Sequence, residues 1–242
     1  LNAEKTSADV HGIGINGWDH QNLFPGTDAA VILQLPQCLH QLGADIHLLD
    51  LIASGCANDA GRLLALAELK ALEGDMIETL QRWIRVPSVR AERSAENAPF
   101  GADVRRALDT AMADLKRLGM EPRDVDGYCC DTEIGEGDEV IAVLSHLDVV
   151  PEGDGWDHDP YGAEIIDGRM IGRGTSDDKG PVIASLLAMK AIRDAGIPLK
   201  RKIRLILGCD EESNWEDMAY YTAHADMPRI GFSPDASFPV IN

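Results

Sequence analysis

Two short apolar runs, each ending in side chains that ligate metals, constrain the fold of this chain more than any other feature. Val140, Ile141, Ala142, Val143 and Leu144 lead directly into Ser145-His146-Leu147-Asp148. The run is too short for a typical helix, rich in β-branched residues and apolar throughout, which predicts a strand covered on both faces. Ile203, Leu205, Ile206 and Leu207 form a second such run, which ends in Gly208-Cys209-Asp210-Glu211-Glu212-Ser213-Asn214. Side chains two apart on a strand point to the same side, so the His146 imidazole and the Asp148 carboxylate lie together. One can bind a metal while the other fixes the histidine tautomer, an arrangement frequent in zinc sites. For these two residues alone, a solvated loop is the alternative.

Helix-forming segments alternate with the strands. Met76, Ile77, Leu80, Trp83 and Ile84 make one apolar face, stopped at Val86-Pro87 because the residue before proline avoids the α region. Val104, Leu108, Ala111, Met112, Leu115 and Leu118 mark a second helix, closed by Gly119. Residues 128–138 read as a polar, turn-rich connection into the first strand. Residues 163–166 and 169–171 pair about an Asp167-Gly168 turn. Gly172-Arg173-Gly174-Thr175-Ser176-Asp177-Asp178-Lys179-Gly180 then opens a helix with Val182, Ile183, Leu186, Leu187 and Ile192 on its buried face. Adjacent acids at such a junction can place one carboxylate between two cations, or simply cap the helix. A helix over residues 215–225 and a short strand over 230–232 lead to Ser233-Pro234-Asp235. The pattern predicts an α/β fold with a mostly parallel sheet flanked by helices.

Composition narrows the function. With 22 basic and 41 acidic residues the net charge is −19, which opposes binding to nucleic acid or anionic membranes and suits cations. No apolar run approaches the roughly 20 residues that span a bilayer, and no charged-then-apolar leader opens the chain. A cytoplasmic protein without a membrane partner is expected. Cys38, Cys56, Cys129, Cys130 and Cys209 are odd in number and lack Cys-x-x-Cys spacing, so free thiols are expected.

Residues 1–66 and 67–242 read as separate units, the second being the α/β domain. In the first, Gly12, Gly14 and Gly17 lack the following helix that a phosphate-binding loop needs. Apolar residues from Val31 to Ile52 fall at mostly helical spacing, interrupted by Pro36 and Gly43, which predicts two short helices or one kinked one over 29–52. His20, His40 and His47 have no partners in the sequence pattern.

His146, Asp177, Glu211, Glu212 and Asp235 all fall at or just beyond strand ends, where ligand sites of open α/β sheets gather. For the acids at 210–212 taken alone, a solvated loop is the alternative. Nitrogen and oxygen donors of this kind suit zinc, or manganese or cobalt. Two ions about 3.5 to 4 Å apart can share a carboxylate and a water and polarise a scissile carbonyl. A further carboxylate kept off the metal takes the water's proton and passes it to the leaving amine.

The motifs His146-Leu147-Asp148-Val149-Val150-Pro151, Gly172-Arg173-Gly174 through Asp177-Asp178-Lys179-Gly180, Asp210-Glu211-Glu212 and Ser233-Pro234-Asp235 resemble, in order, those of the dinuclear zinc peptidase family of aminoacylases, glutamate carboxypeptidases and carnosinase-like dipeptidases. The ending Ser233-Pro234-Asp235-Ala236 followed by Phe238-Pro239 is most similar to bacterial dipeptidases of that family. The resemblance implies two zinc ions per site, one held by His146, Asp177 and Asp235, with Asp177 bridging to a second held also by Glu212. It implies Glu211 as general base, Asp148 as the group orienting His146, and a cis peptide between Asp177 and Asp178. It further implies hydrolysis of a small peptide at its amide bond, with deacylation of N-acyl amino acids or a noncatalytic metal-binding remnant as the alternatives. Members of the family are nearly twice this long, and their remaining zinc-binding histidine lies in sequence that would follow Asn242, so the chain reads as truncated or rearranged relative to the family, with a homo-oligomer or a partner chain completing the fold as a further expectation. Residues 25–29 and 42–53 are weakly similar to part of the family's lid domain, for whose substrate-binding histidine His20, and less well His11, are candidates.

Overall fold

The computed structural model of the chain describes residues 33–34 and 68–235. A five-stranded sheet organises the described residues, built from β2 (Arg123–Val125), β3 (Cys129–Ile134), β4 (Val140–His146), β7 (Lys202–Gly208) and β8 (Ile230–Phe232) in the order β2-β3-β7-β4-β8. Strands β7, β4 and β8 are mutually parallel, while β3 is antiparallel to both β7 and β2. Only β3 therefore runs against the others, and the expectation of a mostly parallel sheet flanked by helices holds.

The two apolar runs are the two strands at its centre. Leu144 lies opposite Ile206, and His146 opposite Gly208. Alternation then sorts the side chains between two faces. Ile203, Leu205, Leu207, Cys130 and Val143 join the larger core beneath α1 (Glu73–Ile84), α2 (Ala102–Arg117) and α3 (Lys179–Asp194). Ile206, Cys129 and Ala142 face the other way and pack with Tyr221, which lies on α4 (Glu216–His224).

The helices follow their sequence signals. Met76, Leu80, Trp83 and Ile84 are buried on α1, and Val182, Ile183, Leu186, Leu187 and Ile192 on α3. Helix α2 ends as predicted at Gly119, whose φ of 80° suits glycine. There the Met120 N–H reaches the Leu115 carbonyl at 2.8 Å and the Gly119 N–H the Lys116 carbonyl at 2.9 Å, a Schellman closure. Two arginines and a tryptophan fasten α1 to α2 by converging on Asp114, which accepts from Arg82 Nε and Nη2, Arg117 Nε and Trp83 Nε1 at 2.8–3.1 Å.

A separate small sheet joins β5 (Glu164–Ile166) to β6 (Arg169–Ile171) through Asp167-Gly168, both at positive φ as a two-residue hairpin turn requires. Its outer edge pairs with β1 (Leu33–Gln34). Those two residues fall in the stretch predicted to be helical, and the extended pairing replaces a helix there. An open hairpin edge offers backbone partners that local spacing cannot anticipate. The rest of residues 29–52, the lid-like segments and His11, His20, His40 and His47 lie outside the described residues.

A second correction concerns residues 128–138. Six of the residues read as a polar connection form β3, central enough to pair on both sides. Polarity misleads here because Asp131 is buried yet satisfied, accepting from Arg123 Nε at 3.0 Å and from the Tyr221 hydroxyl at 2.7 Å. Cys129, Cys130 and Cys209 are free thiols, all buried. No described helix is long and apolar enough to cross a membrane.

Candidate metal centre

Parallel register places three chain exits side by side. His146 ends β4, Gly208 ends its neighbour β7, and β8, paired to β4 through Val143 and Phe232, runs on to Asp235. The Leu147 N–H still bonds the Gly208 carbonyl at 2.9 Å, so the first two exits stay joined beyond the strands. Ser88 pins the same segment from outside. Its hydroxyl donates to the Leu147 carbonyl at 2.6 Å, and its own carbonyl accepts from the Val149 N–H at 3.1 Å.

The imidazole of His146 is buried at the centre. Its Nε2 lies 3.1 Å from Asp177 Oδ1, 3.5 Å from Asp235 Oδ2 and 3.9 Å from Glu211 Oε2. Its Nδ1 lies 3.0 Å from the Asp148 backbone carbonyl and 3.5 Å from the Asp148 carboxylate. The carbonyl is therefore the closer partner for an Nδ1 proton and leaves Nε2 as the nitrogen that faces Asp177, Asp235 and Glu211. The Asp148 carboxylate is fully buried and also holds the neighbouring loop, because its two oxygens accept from the backbone N–H groups of Glu211 at 3.2 Å and Glu212 at 3.1 Å.

Ligand-type atoms converge as two groups that share His146: His146 with Asp177 and Asp235, and His146 with Glu211 and Glu212. In each group the donor atoms lie within 4.8 Å of one another. The structure thus brings together His146, Asp177, Glu211, Glu212 and Asp235, with Asp148 directly behind. His158 and His224 stay apart from them: His158 Nδ1 pairs with Glu164 at 3.2 Å, and His224 Nδ1 meets the Tyr220 carbonyl at 2.8 Å.

The electrostatics are those of an acid cluster short of positive charge. Burial, with the Asp177 charge adding to it, pushes Glu212 up to about 7. Burial also raises Glu211, against the opposing pull of His146 and with help from Asp235. For His146 burial disfavours the cation, but bonds to Asp148, Asp177 and Asp235 outweigh it and hold the imidazole well above its ordinary range. A divalent cation would relieve all three. One imidazole and several carboxylates form a donor set that zinc, manganese or cobalt accepts, so the residues present fit a metal.

The neighbours explain what the site acids are not doing. Asp178 stands at the N-cap of α3 without a side-chain cap bond. Its Oδ2 accepts instead from the His146 N–H at 3.3 Å, across a cis peptide to Asp177. Lys179 is buried beside them and donates to the Trp83 and Val86 carbonyls at 3.0 and 2.9 Å, closing the end of α1. Asp210 is buried and faces Arg90 Nε at 2.5 Å, which leaves Glu211 and Glu212 as the loop's acids that converge on His146. Sequence reasoning missed Ser88 and Arg90, whose partners lie far away along the chain and which belong to no motif. A cleft of about 280 Å³ opens next to Glu212, lined by Val89, Arg90, Val149, Val150, Pro151 and Ser213.

Known proteins resemble part of this chain. The family model described as Peptidase family M20/M25/M40 matches residues 142–241, which include every one of the converging side chains. "Putative dipeptidase YtjP" of Bacillus subtilis is 44% identical over 169 residues, covering 69% of this chain and 36% of that protein. "Putative dipeptidase SH1171" of Staphylococcus haemolyticus is 41% identical over 176 residues, covering 72% and 38%. The chain thus spans little more than a third of the length of the curated relatives it matches. Among solved structures, human carnosine dipeptidase 1 superposes with a TM-score of 0.52 at 26% identity, over 65% of this chain and 36% of that one. The dipeptidase Dug1p of Saccharomyces cerevisiae shares the fold, with a TM-score of 0.53 at 21% identity over 64% and 36%. Residues 142–241, which carry the carboxyl edge of the sheet, are thus a domain of peptidase family M20/M25/M40.

Proposed function

We propose that the chain carries the metal-binding half of a dipeptidase centre, which hydrolyses the amide bond of a small peptide. The observation that carries this reading is the convergence of Asp177, Asp235, Glu211 and Glu212 on one buried histidine. His146, Asp177 and Asp235 would hold one ion, and Glu212, with Asp177 bridging, a second. The ions, zinc or else manganese or cobalt, supply Lewis-acid polarisation of the carbonyl and acidification of a water when bound. Glu211 takes the proton of the attacking water and returns it to the leaving amine nitrogen. Burial raises its proton affinity, the direction that such an exchange needs. Asp148 keeps both glutamates in place through their backbone N–H groups and sets the His146 ring from behind. The names borne by the relatives favour dipeptides over N-acyl amino acids as substrates.

Metal content after dialysis, with turnover of dipeptides and N-acetyl amino acids, tests the reading. Wild type retains divalent metal and His146→Ala does not. Equal retention by both would refute the ligand assignment, faster turnover of N-acetyl amino acids would move the substrate class, and a metal-loaded, folded chain without turnover would leave a noncatalytic remnant.

A further inference from the structure

We infer that Asp217, on α4, is a positioning residue for Glu211 and Glu212, acting through the backbone of the loop that carries them, and that position 208 is glycine in order to admit it. The loop leaving β7 presents four successive N–H groups to two buried carboxylates. Asp217 Oδ2 accepts from Cys209 at 2.6 Å and from Asp210 at 3.0 Å. Asp148 accepts from Glu211 and Glu212, the next two residues. A loop of four residues whose every donor is bonded to a charged acceptor has little freedom left, and the metal-facing acids inherit that rigidity.

Asp217 comes from outside every recognised motif and from the sheet face opposite the main core. It is 1% exposed, and its other oxygen accepts from the Met218 N–H at 2.6 Å. A buried carboxylate is costly unless it is fully bonded, and packing alone would be served by an apolar residue of similar size. The charge is therefore used for the loop. Its helix is itself anchored, because the Tyr221 hydroxyl bonds Asp131 at 2.7 Å and accepts from Arg204 Nη1 at 3.1 Å, while Tyr220 stacks on Tyr128 with ring centroids 3.9 Å apart.

Gly208 supplies an independent observation. A Cβ at this position would stand 2.3 Å from Asp217 Oδ2 and 3.4 Å from its Cγ. A strand residue paired on both sides, opposite His146 on one and Cys129 on the other, would ordinarily gain from a branched side chain. Here the missing side chain is the space that the carboxylate occupies.

The positional claim stands without the proposed function; its consequence for metal binding rests on that reading. Amide hydrogen exchange of the full chain without added metal tests the first. In Asp217→Asn, and separately in Gly208→Ala, protection falls about tenfold at Glu211 and Glu212 as well as at Cys209 and Asp210, the order expected for losing a charge-assisted bond. The double variant is no worse than the single ones, because both substitutions break one contact. Leu108→Ala, which loosens α2 instead, leaves these four amides no more exposed than those of β3. Unchanged protection at Glu211 and Glu212, or additive losses, would overturn the inference; should Asp217→Asn fail to fold, Gly208→Ala decides it. In a zinc titration the same variants lose affinity about 10- to 100-fold for the ion that needs Glu212 and keep the ion of His146, Asp177 and Asp235. Equal losses at both would make Asp217 merely structural, whereas a wild type that binds no zinc would refute the metal centre and leave the exchange result standing.

Discussion

Asp148→Asn is the most informative single change at the centre, because it removes one charge and almost no volume. In the native chain each Asp148 oxygen accepts one backbone N–H, from Glu211 at 3.2 Å and from Glu212 at 3.1 Å. An amide can satisfy only one of them and turns its NH₂ towards the other, donor against donor. The loss is one bond to a charged acceptor inside a fully buried site, about 1.5 to 3 kcal/mol. The histidine loses less, since its Nδ1 keeps the backbone carbonyl at 3.0 Å, which the substitution leaves untouched. Outer partners of metal ligands are worth about 10- to 100-fold in affinity, and here that loss should fall on the ion that needs Glu212. Urea unfolding of the metal-free chain measures the first quantity and calorimetric zinc titration the second. A variant as stable as wild type and within twofold of it in zinc affinity would refute the role given to Asp148. So would one that first loses the ion of His146, Asp177 and Asp235.

Leu108 is fully buried between α2 and the core, so Leu108→Ala should lower stability by about 2 to 5 kcal/mol in urea unfolding. Asp114 has its carboxyl held low despite burial, because bonds from Arg82, Arg117 and Trp83 favour the anion. A lowered native pKa gives stability that is present above the unfolded value and lost as pH falls through the native one. The acid limb of stability against pH should therefore flatten in Asp114→Asn, which also loses about 1.5 to 3 kcal/mol at neutral pH. Burial pushes the thiols of Cys129, Cys130 and Cys209 well up, so iodoacetamide and peptide mapping should find all three unmodified in the native chain and modified in urea.

The parts of the fold that can be read from sequence are those where local pattern and tertiary role coincide. Strands β4 and β7 are apolar on both faces because both faces are covered, and α1, α2 and α3 carry their buried residues at helical spacing. The hairpin turn at Asp167-Gly168 and the stop at Gly119 follow from backbone geometry that few residues adopt. Strand β3 is hidden because its polar Asp131 is neutralised by Arg123 and Tyr221, which lie 8 and 90 residues away. At the centre, strand-end position and family resemblance single out the converging acids and His146. Nothing local marks Ser88, Arg90 or Asp217. They hold backbone groups or a buried charge contributed by distant segments, and such roles appear only once the chain is folded. Asp178 illustrates the same limit: its place at the start of α3 suggests a cap, but its oxygen bonds the His146 N–H.

The most direct test compares Glu211→Gln with Glu212→Gln, two neighbouring isosteric changes to which the proposed mechanism assigns opposite consequences. Metal content after dialysis and turnover on dipeptides are measured for both, with zinc, manganese or cobalt supplied, beside a wild type that turns over. Glu211→Gln should keep its metal and its fold and lose about 10²- to 10⁴-fold in turnover, the usual worth of a positioned acid/base, whereas Glu212→Gln should lose metal. Loss of metal in Glu211→Gln with retention in Glu212→Gln would contradict the assignment, and full turnover in Glu211→Gln would remove the general base from the mechanism altogether.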